Sequence, residues 1–198
     1  SSRPQMLLPD TSGVRALAVG FNGLCFIDVD HRVQCVGSNS YLKLGNGSGV
    51  DFSPTPVMVQ GLPAGNMLHI AAGVDVYCAL AADQTVSCWG NNEQRQVGYF
   101  ERIEQGTAFQ HPNIDQATNL NLTYTTTCSL RLGQMYCWGK PQFGPDYFAE
   151  DAVNLPQRME GLPEGATVAS IHRGVLNVCA LTTDHRAYCW GNNHGRLF

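Results

Sequence analysis

Cys78-Ala-Leu-Ala-Ala-Asp83-Gln-Thr-Val-Ser-Cys88-Trp89-Gly90 is the stretch on which the reading of this chain turns. An apolar segment runs into a turn around Asp83, and a second segment returns through Val86. Folded about Asp83 as an antiparallel hairpin, Cys78 lies opposite Cys88. Directly opposed Cβ atoms on such strands sit about 4.5–5.5 Å apart. A disulfide wants about 3.5–4.5 Å, so a short cross-strand bridge is feasible. Side chains alternate along a strand, so Cys88 and Trp89 point to opposite faces. The bridge can staple the hairpin on one face while the indole fills space against a neighbouring unit on the other.

The same arrangement recurs along the chain. Its eight cysteines form four local pairs, Cys25/Cys35, Cys78/Cys88, Cys128/Cys137 and Cys179/Cys189, separated by 10, 10, 9 and 10 residues. Each pair is expected to be one disulfide within one hairpin. Zinc is disfavoured, because structural zinc sites space their ligands two to four residues apart. Disulfides persist in oxidising compartments, which points to a secreted, extracellular or periplasmic chain rather than a cytosolic one with buried thiols. The sequons Asn46-Gly-Ser48 and Asn121-Leu-Thr123 mark possible N-glycosylation and agree with secretion.

Steps of 53, 49 and 52 residues separate the second cysteines of the four pairs, and the surrounding text repeats with them. The second unit carries Gly73, Cys78-Ala-Leu80, Asp83 and Cys88-Trp-Gly-Asn-Asn92. The fourth carries Gly174, Cys179-Ala-Leu181, Asp184 and Cys189-Trp-Gly-Asn-Asn193. The first is looser, with Gly20, Cys25, Asp30 and Cys35-Val-Gly-Ser-Asn39. The third keeps Cys128-Ser-Leu130 and Cys137-Trp-Gly139 around a shorter turn. Gly61-Leu-Pro-Ala-Gly65 and Gly161-Leu-Pro-Glu-Gly165 each precede a unit. Pro54-Thr-Pro-Val57 reads as an edge strand. Units of roughly fifty residues, made of short strands with almost no helical periodicity, have the scale of propeller blades. The chain therefore reads as all-β, a single repeat domain over 1–198 with approximate units 1–49, 50–98, 99–148 and 149–198.

These motifs resemble the repeat of the regulator of chromosome condensation, RCC1. In that family a Cys-Ala-Leu or Ser-Ala-Leu strand, an Asp turn and a Trp-Gly-x-Asn ending followed by Gly-Gln-Leu-Gly recur. Gln96-Val-Gly98, Gly195-Arg-Leu197 and Tyr41-Leu-Lys-Leu-Gly45 look like that ending. The resemblance covers nearly the whole chain and implies a β-propeller. It departs from the family in having four units rather than seven blades, and in its cysteine pairs, which look like those of secreted members. Four units can close into a small ring, pair as an open half with another chain, or belong to a longer protein. The reading favours a compact four-unit assembly whose N-terminal segment near Met6-Leu-Leu8 completes the blade ending at Leu197-Phe198, and hence a monomer over a homodimer.

Composition narrows the function. The net charge of −4 and the lack of a Lys/Arg cluster disfavour nucleic acid. No apolar run is long enough for a membrane span. None of the six histidines forms a metal motif. Asp30-His31 and Asp184-His185 occupy matching turns and read as turn chemistry. Gly45-Asn-Gly-Ser-Gly49 lacks the Lys-Ser/Thr of a phosphate loop, and no esterase elbow occurs. No catalysis, cofactor or metal is expected. Two segments break the repeat, from Tyr99-Phe100-Glu-Arg102 through Phe109 to Pro112, and from Lys140 through Phe143 to Tyr147-Phe148. Aromatics and Arg are enriched in binding hot spots, so Tyr99, Phe100, Arg102, Phe109, Phe143, Tyr147 and Phe148 are the candidate partner-binding residues. The alternative for each aromatic is a plug between blades. A protein partner is expected. A lectin would repeat its ligands at equivalent loops, and these loops do not repeat, so glycan binding is the alternative, with inhibition of a secreted enzyme as another.

Overall fold

The computed structural model describes residues 13–98, 103–140, 153–174 and 177–191. Four antiparallel meanders follow one another along the chain, each read here as a blade. Blade 1 is β1 (Val14–Gly20), β2 (Gly23–Asp28), β3 (Val33–Ser38) and β4 (Phe52–Met58). Blade 2 is β5 (Met67–Ala72), β6 (Val76–Ala81), β7 (Val86–Asn91) and β8 (Glu104–Gln110). Blade 3 is β9 (Ala117–Leu122), β10 (Thr126–Arg131), β11 (Gln134–Gly139) and β12 (Val153–Arg158). Blade 4 has three described strands, β13 (Val168–Arg173), β14 (Asn177–Thr182) and β15 (Ala187–Gly191).

The sheets are out of phase with the repeat units read from the sequence. β4, with Pro54 and Pro56, pairs back onto β3 through Cys35↔Val57 and Ser38↔Phe52, so it closes blade 1 rather than opening blade 2. It is the outer edge of its sheet, where proline costs no ladder hydrogen bond on the free side. Gly61-Leu62-Pro63 then carries the chain to the next blade.

The four expected bridges are present, with Cα–Cα distances of 4.0, 4.1, 4.1 and 4.0 Å in chain order. In every hairpin the two cysteines are direct cross-strand partners. The turns are built alike: His31, Gln84 and His185 take the left-handed conformation at φ 62°, 68° and 66°. The Asp83 carboxylate accepts bonds from the amide and hydroxyl of Thr85, a local bond typical of tight turns.

Alternation decides how blades stack. The first core joins Cys25, Ile27, Val33 and Cys35 of blade 1 to Ile70, Tyr77, Ala79 and Trp89 of blade 2. The second joins the Cys78–Cys88 face of blade 2 to Leu120, Leu122 and Trp138 of blade 3. The third joins the Cys128–Cys137 face to Ile171, Val178 and Ala180 of blade 4, with Trp190 packed at its margin. Each disulfide face thus meets the Trp-bearing face of the following blade. A buried indole removes roughly 200 Å² from water, about 5 kcal/mol before entropy is counted. The first strands pack in series, β1 on β5, β5 on β9 and β9 on β13. Among the described residues no comparable packing brings β13 back to β1, so the sheets form an arc.

Candidate partner-binding rim

Two kinds of connection converge at one end of the blades. The hairpin turns between first and second strands lie there, because Gly23 pairs with Gly37, Val76 with Gly90 and Thr126 with Gly139. The connections between third and fourth strands leave from the same end, since Ser38 pairs with Phe52, Asn91 with Glu104 and Gly139 with Val153. The irregular segments singled out in the sequence join third to fourth strands of blades 2 and 3. Tyr99, Phe100, Arg102, Phe143, Tyr147 and Phe148 themselves lie outside the described residues. Phe109 is described: it sits on β8 opposite Cys88, half-buried against the second core.

The two described loops of this rim share one internal design. Asn39 accepts a bond from the Leu44 amide and donates to the carbonyls of Ser48 and Val50. Asn92 accepts from the Val97 amide at the matching position. The loops end at Gly45 and Gly98, whose φ of 67° and 84° a side chain rarely adopts. A Cβ on Gly45 would also lie 2.7 Å from the Trp89 ring, and one on Gly98 would overlap His111. Each loop is then tied to the next blade by an indole. Trp89 Nε1 donates to the Lys43 carbonyl and Trp138 Nε1 to that of Gln96. Trp190 Nε1 donates to Glu160, on the link that precedes its own blade.

Above this frame the rim exposes aromatic and acidic groups drawn from three blades. Phe21, Tyr41 and Tyr124 are exposed, and Ile103 and Phe52 add aliphatic and aromatic surface. Tyr41 is held at φ 56° in a short 3-10 turn, Ser40–Leu42. The Glu93 carboxylate pushes the Tyr41 phenol above its usual pKa, with desolvation, Asp75, Tyr124 and Glu104 acting the same way. Loops of blades 1, 2 and 3 are therefore within electrostatic reach of each other. Phe21 is anchored through its amide to the Val74 carbonyl at 2.8 Å. Beneath it the buried Lys43 ammonium donates to the Phe21 carbonyl and pairs with Asp75 at 2.6 Å.

Neither Phe21 nor Tyr124 was singled out from the sequence, and Tyr41 and Lys43 were read only as part of a repeat ending. The available signals were an aromatic between two turn glycines at 20–23 and a lysine in a repeat ending where the resemblance places Gln. The second sequon behaves differently from the first. Asn121 lies within β9 and its amide donates to the Ile171 carbonyl of blade 4, whereas Asn46 lies in a surface loop.

The described histidines occupy structural positions. His31 bonds the Met67 carbonyl, and His111 is buried against the Trp138 ring at 5.0 Å. Ser170 Oγ lies 2.9 Å from His172 Nε2, but among the described residues no carboxylate bonds that ring to orient it as a base. Among the described residues no group of three His, Cys, Asp or Glu is arranged to hold a metal ion, and no helix is long and apolar enough to cross a membrane.

Repeated meanders packed face to face about shared first strands make this chain a propeller-type repeat scaffold. Residues 68–96, in blade 2, match the Regulator of chromosome condensation (RCC1) repeat. Human WBSCR16 superposes with a TM-score of 0.82 at 22% identity, over 93% of this chain and 49% of that one. Prp20p of Saccharomyces cerevisiae superposes with a TM-score of 0.79 at 21% identity, over 91% and 44%. The CRINKLY WD40 ectodomain of the Arabidopsis thaliana receptor kinase ACR4 gives 0.58 at 19% identity, over 90% and 53%. In sequence, the human E3 ubiquitin-protein ligase HERC2 is 22% identical over 193 residues, 91% of this chain and 4% of that protein. The chain thus spans about half the length of these solved structures or less, and a small part of HERC2.

Proposed function

We propose that this chain is a non-catalytic, extracellular recognition module that meets a protein partner on the rim carrying Phe21, Tyr41, Glu93 and Tyr124. The observation that carries this reading is the exposure of three aromatic side chains, two from blade 1 and one from blade 3, on loops braced by buried hydrogen bonds. Rigid aromatic anchors among polar groups are the make-up of protein-binding hot spots. Tyr99, Phe100, Arg102, Phe143, Tyr147 and Phe148 belong to segments that begin and end on the same rim, which supports including them in the surface. Prp20p, similar in fold, is described together with its binding to Gsp1p and histones, which supports a protein as the partner. Four disulfides, and a fold shared with a receptor-kinase ectodomain, support an extracellular setting.

Cross-linking in the source fluid, followed by mass spectrometry, tests this. Cross-links are expected to map one protein to residues 20–23, 39–51, 92–103 and 123–126. The triple change Phe21→Ser, Tyr41→Ser, Tyr124→Ser should abolish capture with melting unchanged. Leu132→Ser, in a turn at the opposite end, should leave capture intact. Equal loss from Leu132→Ser, or no loss from the triple change, would overturn the reading.

A further inference from the structure

Phe21 and Tyr124 stand on a continuous row of turns. The Phe21 amide donates to the Val74 carbonyl in the β5–β6 turn at 2.8 Å. A Cβ on Gly73, in that same turn, would lie 2.5 Å from the Thr123 carbonyl of the β9–β10 turn. Tyr41 stands beside this row, on the loop from β3 to β4. Its neighbour Ser40 donates to Asp75 at 3.4 Å, and its neighbour Leu42 lies against Gly106 of β8. All three rings are exposed, and the short turn that carries Tyr41 holds its backbone at φ 56°. A partner therefore has little ordering to impose on this surface.

The charges around the rings are unevenly matched. Asp75 pairs with the buried Lys43, whose ammonium also lies 5.9 Å from the Phe21 ring centroid, beneath the surface. Glu93 is exposed and Glu104 half-buried, and among the described residues neither forms an ion pair. Glu93 first, and Asp75 and Glu104 with it, push the Tyr41 phenol upward, so their negative potential converges on that ring. Arg95, half-buried, and Lys140 are the other described cations of these loops.

We infer that the partner meets this rim with an arginine, whose guanidinium lies on the Tyr41 ring beside Tyr124 and pairs with Glu93 and Glu104; the inference rests on the reading of the rim as a protein-binding surface. An aromatic face attracts a cation through its ring quadrupole. Neighbouring carboxylates add to that attraction and turn away an acidic segment. Among the described residues no three acids or histidines are arranged to hold a metal ion, so a cation carried on a side chain suits these acids better than a bare ion. Arginine suits them better than lysine. Its planar fork bonds a carboxylate at two points while its flat face stacks on a phenol, whereas an ammonium is a compact and strongly hydrated point charge.

Titration of the isotope-labelled full protein with a short synthetic peptide of alternating Gly and Arg, followed by NMR, tests this. Saturable shifts are expected at the amides of Phe21, Tyr41, Glu93 and Tyr124. The matching lysine peptide should bind about tenfold more weakly, and peptides carrying citrulline or glutamate should give no saturable shifts. The double change Glu93→Gln, Glu104→Gln should weaken the arginine peptide about tenfold, as should Tyr41→Leu. Asp83→Asn, at the opposite end of the blades, should leave it unmoved. Unchanged spectra away from the rim check that each variant folds, and Glu93→Gln alone replaces the double change if that variant does not. No saturable shift with the arginine peptide, equal binding of the lysine or citrulline peptide, or indifference to the glutamine changes overturns the inference. Partner capture separates it from the reading beneath it. Loss of capture in Phe21→Ser, Tyr41→Ser, Tyr124→Ser with full capture by Glu93→Gln, Glu104→Gln would leave the rim a protein-binding surface and sink only the arginine. Full capture by the triple serine variant would sink the rim itself.

Discussion

The indole N–H of Trp89 donates to the main-chain carbonyl of Lys43 over 3.0 Å, from one blade to the loop of the blade before it. Trp89→Phe removes the donor, keeps most of the ring and strands a buried carbonyl, so about 1–3 kcal/mol should be lost. Trp89→Ala should cost about 3–5 kcal/mol, because it also opens a cavity. Trp190 is only half-buried, so Trp190→Ala should cost less than Trp89→Ala. Urea unfolding of the three variants gives this order directly. Equal losses for the two alanine variants would mean that burial of the ring does not set the cost.

Lys43 and Asp75 form a charge pair whose side chains are 1% and 13% exposed. In the next blade Gln96 and Thr125 take the same places. Removing one member of such a pair leaves the other charge buried, which costs about 3–5 kcal/mol, while replacing both is often nearly neutral. Asp75→Thr should therefore be strongly destabilising, and Lys43→Gln added to it should restore much of the loss. A double-mutant cycle by thermal unfolding checks it; additive losses would refute the coupling.

Acid should weaken the fold in two stages. Burial of His69 pushes its pKa below the ordinary 6.5, so the unfolded chain binds the proton first and stability falls as pH drops from 6.5 towards the folded value. His69→Gln should flatten that stage. Asp28 loses some hydration on burial, which opposes ionisation. Bonds from the Arg32 amide, the Gln34 amide group and the Arg32 guanidinium outweigh this and hold it below 3.8. Its contribution is complete above 3.8 and is lost as pH falls through the folded value, a stage Asp28→Asn should remove. Chemical unfolding midpoints measured from pH 7 to pH 3 would show both.

The two sequons should differ in use. A glycan on Asn121 would displace the amide bond to Ile171 and intrude between blades 3 and 4, where Thr123 is also buried. Glycopeptide mapping of protein expressed through a glycosylating secretory pathway should find sugar on Asn46 and none on Asn121. A glycan at Asn121 in folded protein would contradict the packing of these blades.

Much of this was legible in the sequence because cysteine spacing and strand alternation are local signals. Cys78 opposite Cys88, and Cys88 and Trp89 on opposite faces, follow from the period of two. The phase of the blades was not legible. Phe52–Met58 reads as an edge strand from its prolines, but whether it pairs backwards or forwards depends on contacts across thirteen intervening residues. The rim was legible only in part. Clustered aromatics such as Tyr99-Phe100 draw attention, whereas Phe21, Tyr41 and Tyr124 come together only after three blades have stacked. Lys43 reads as a surface residue from its charge. Its burial requires Asp75 and the Phe21 carbonyl, neither of which its neighbours reveal.

Lys43, Gln96 and Glu160 are a cation, an amide and an acid, yet each offers the same main-chain oxygen to a tryptophan of the following blade. The joint reads backbone and ignores the side chain that hangs from it. Mutation can therefore rewrite the exposed residues of such loops while the joints between blades hold, provided the turn asparagine, the closing glycine and buried partners such as Lys43 and Gln96 stay. That separates the evolution of affinity from the upkeep of architecture, and it makes these loops the natural place to graft new binding sequences onto this scaffold.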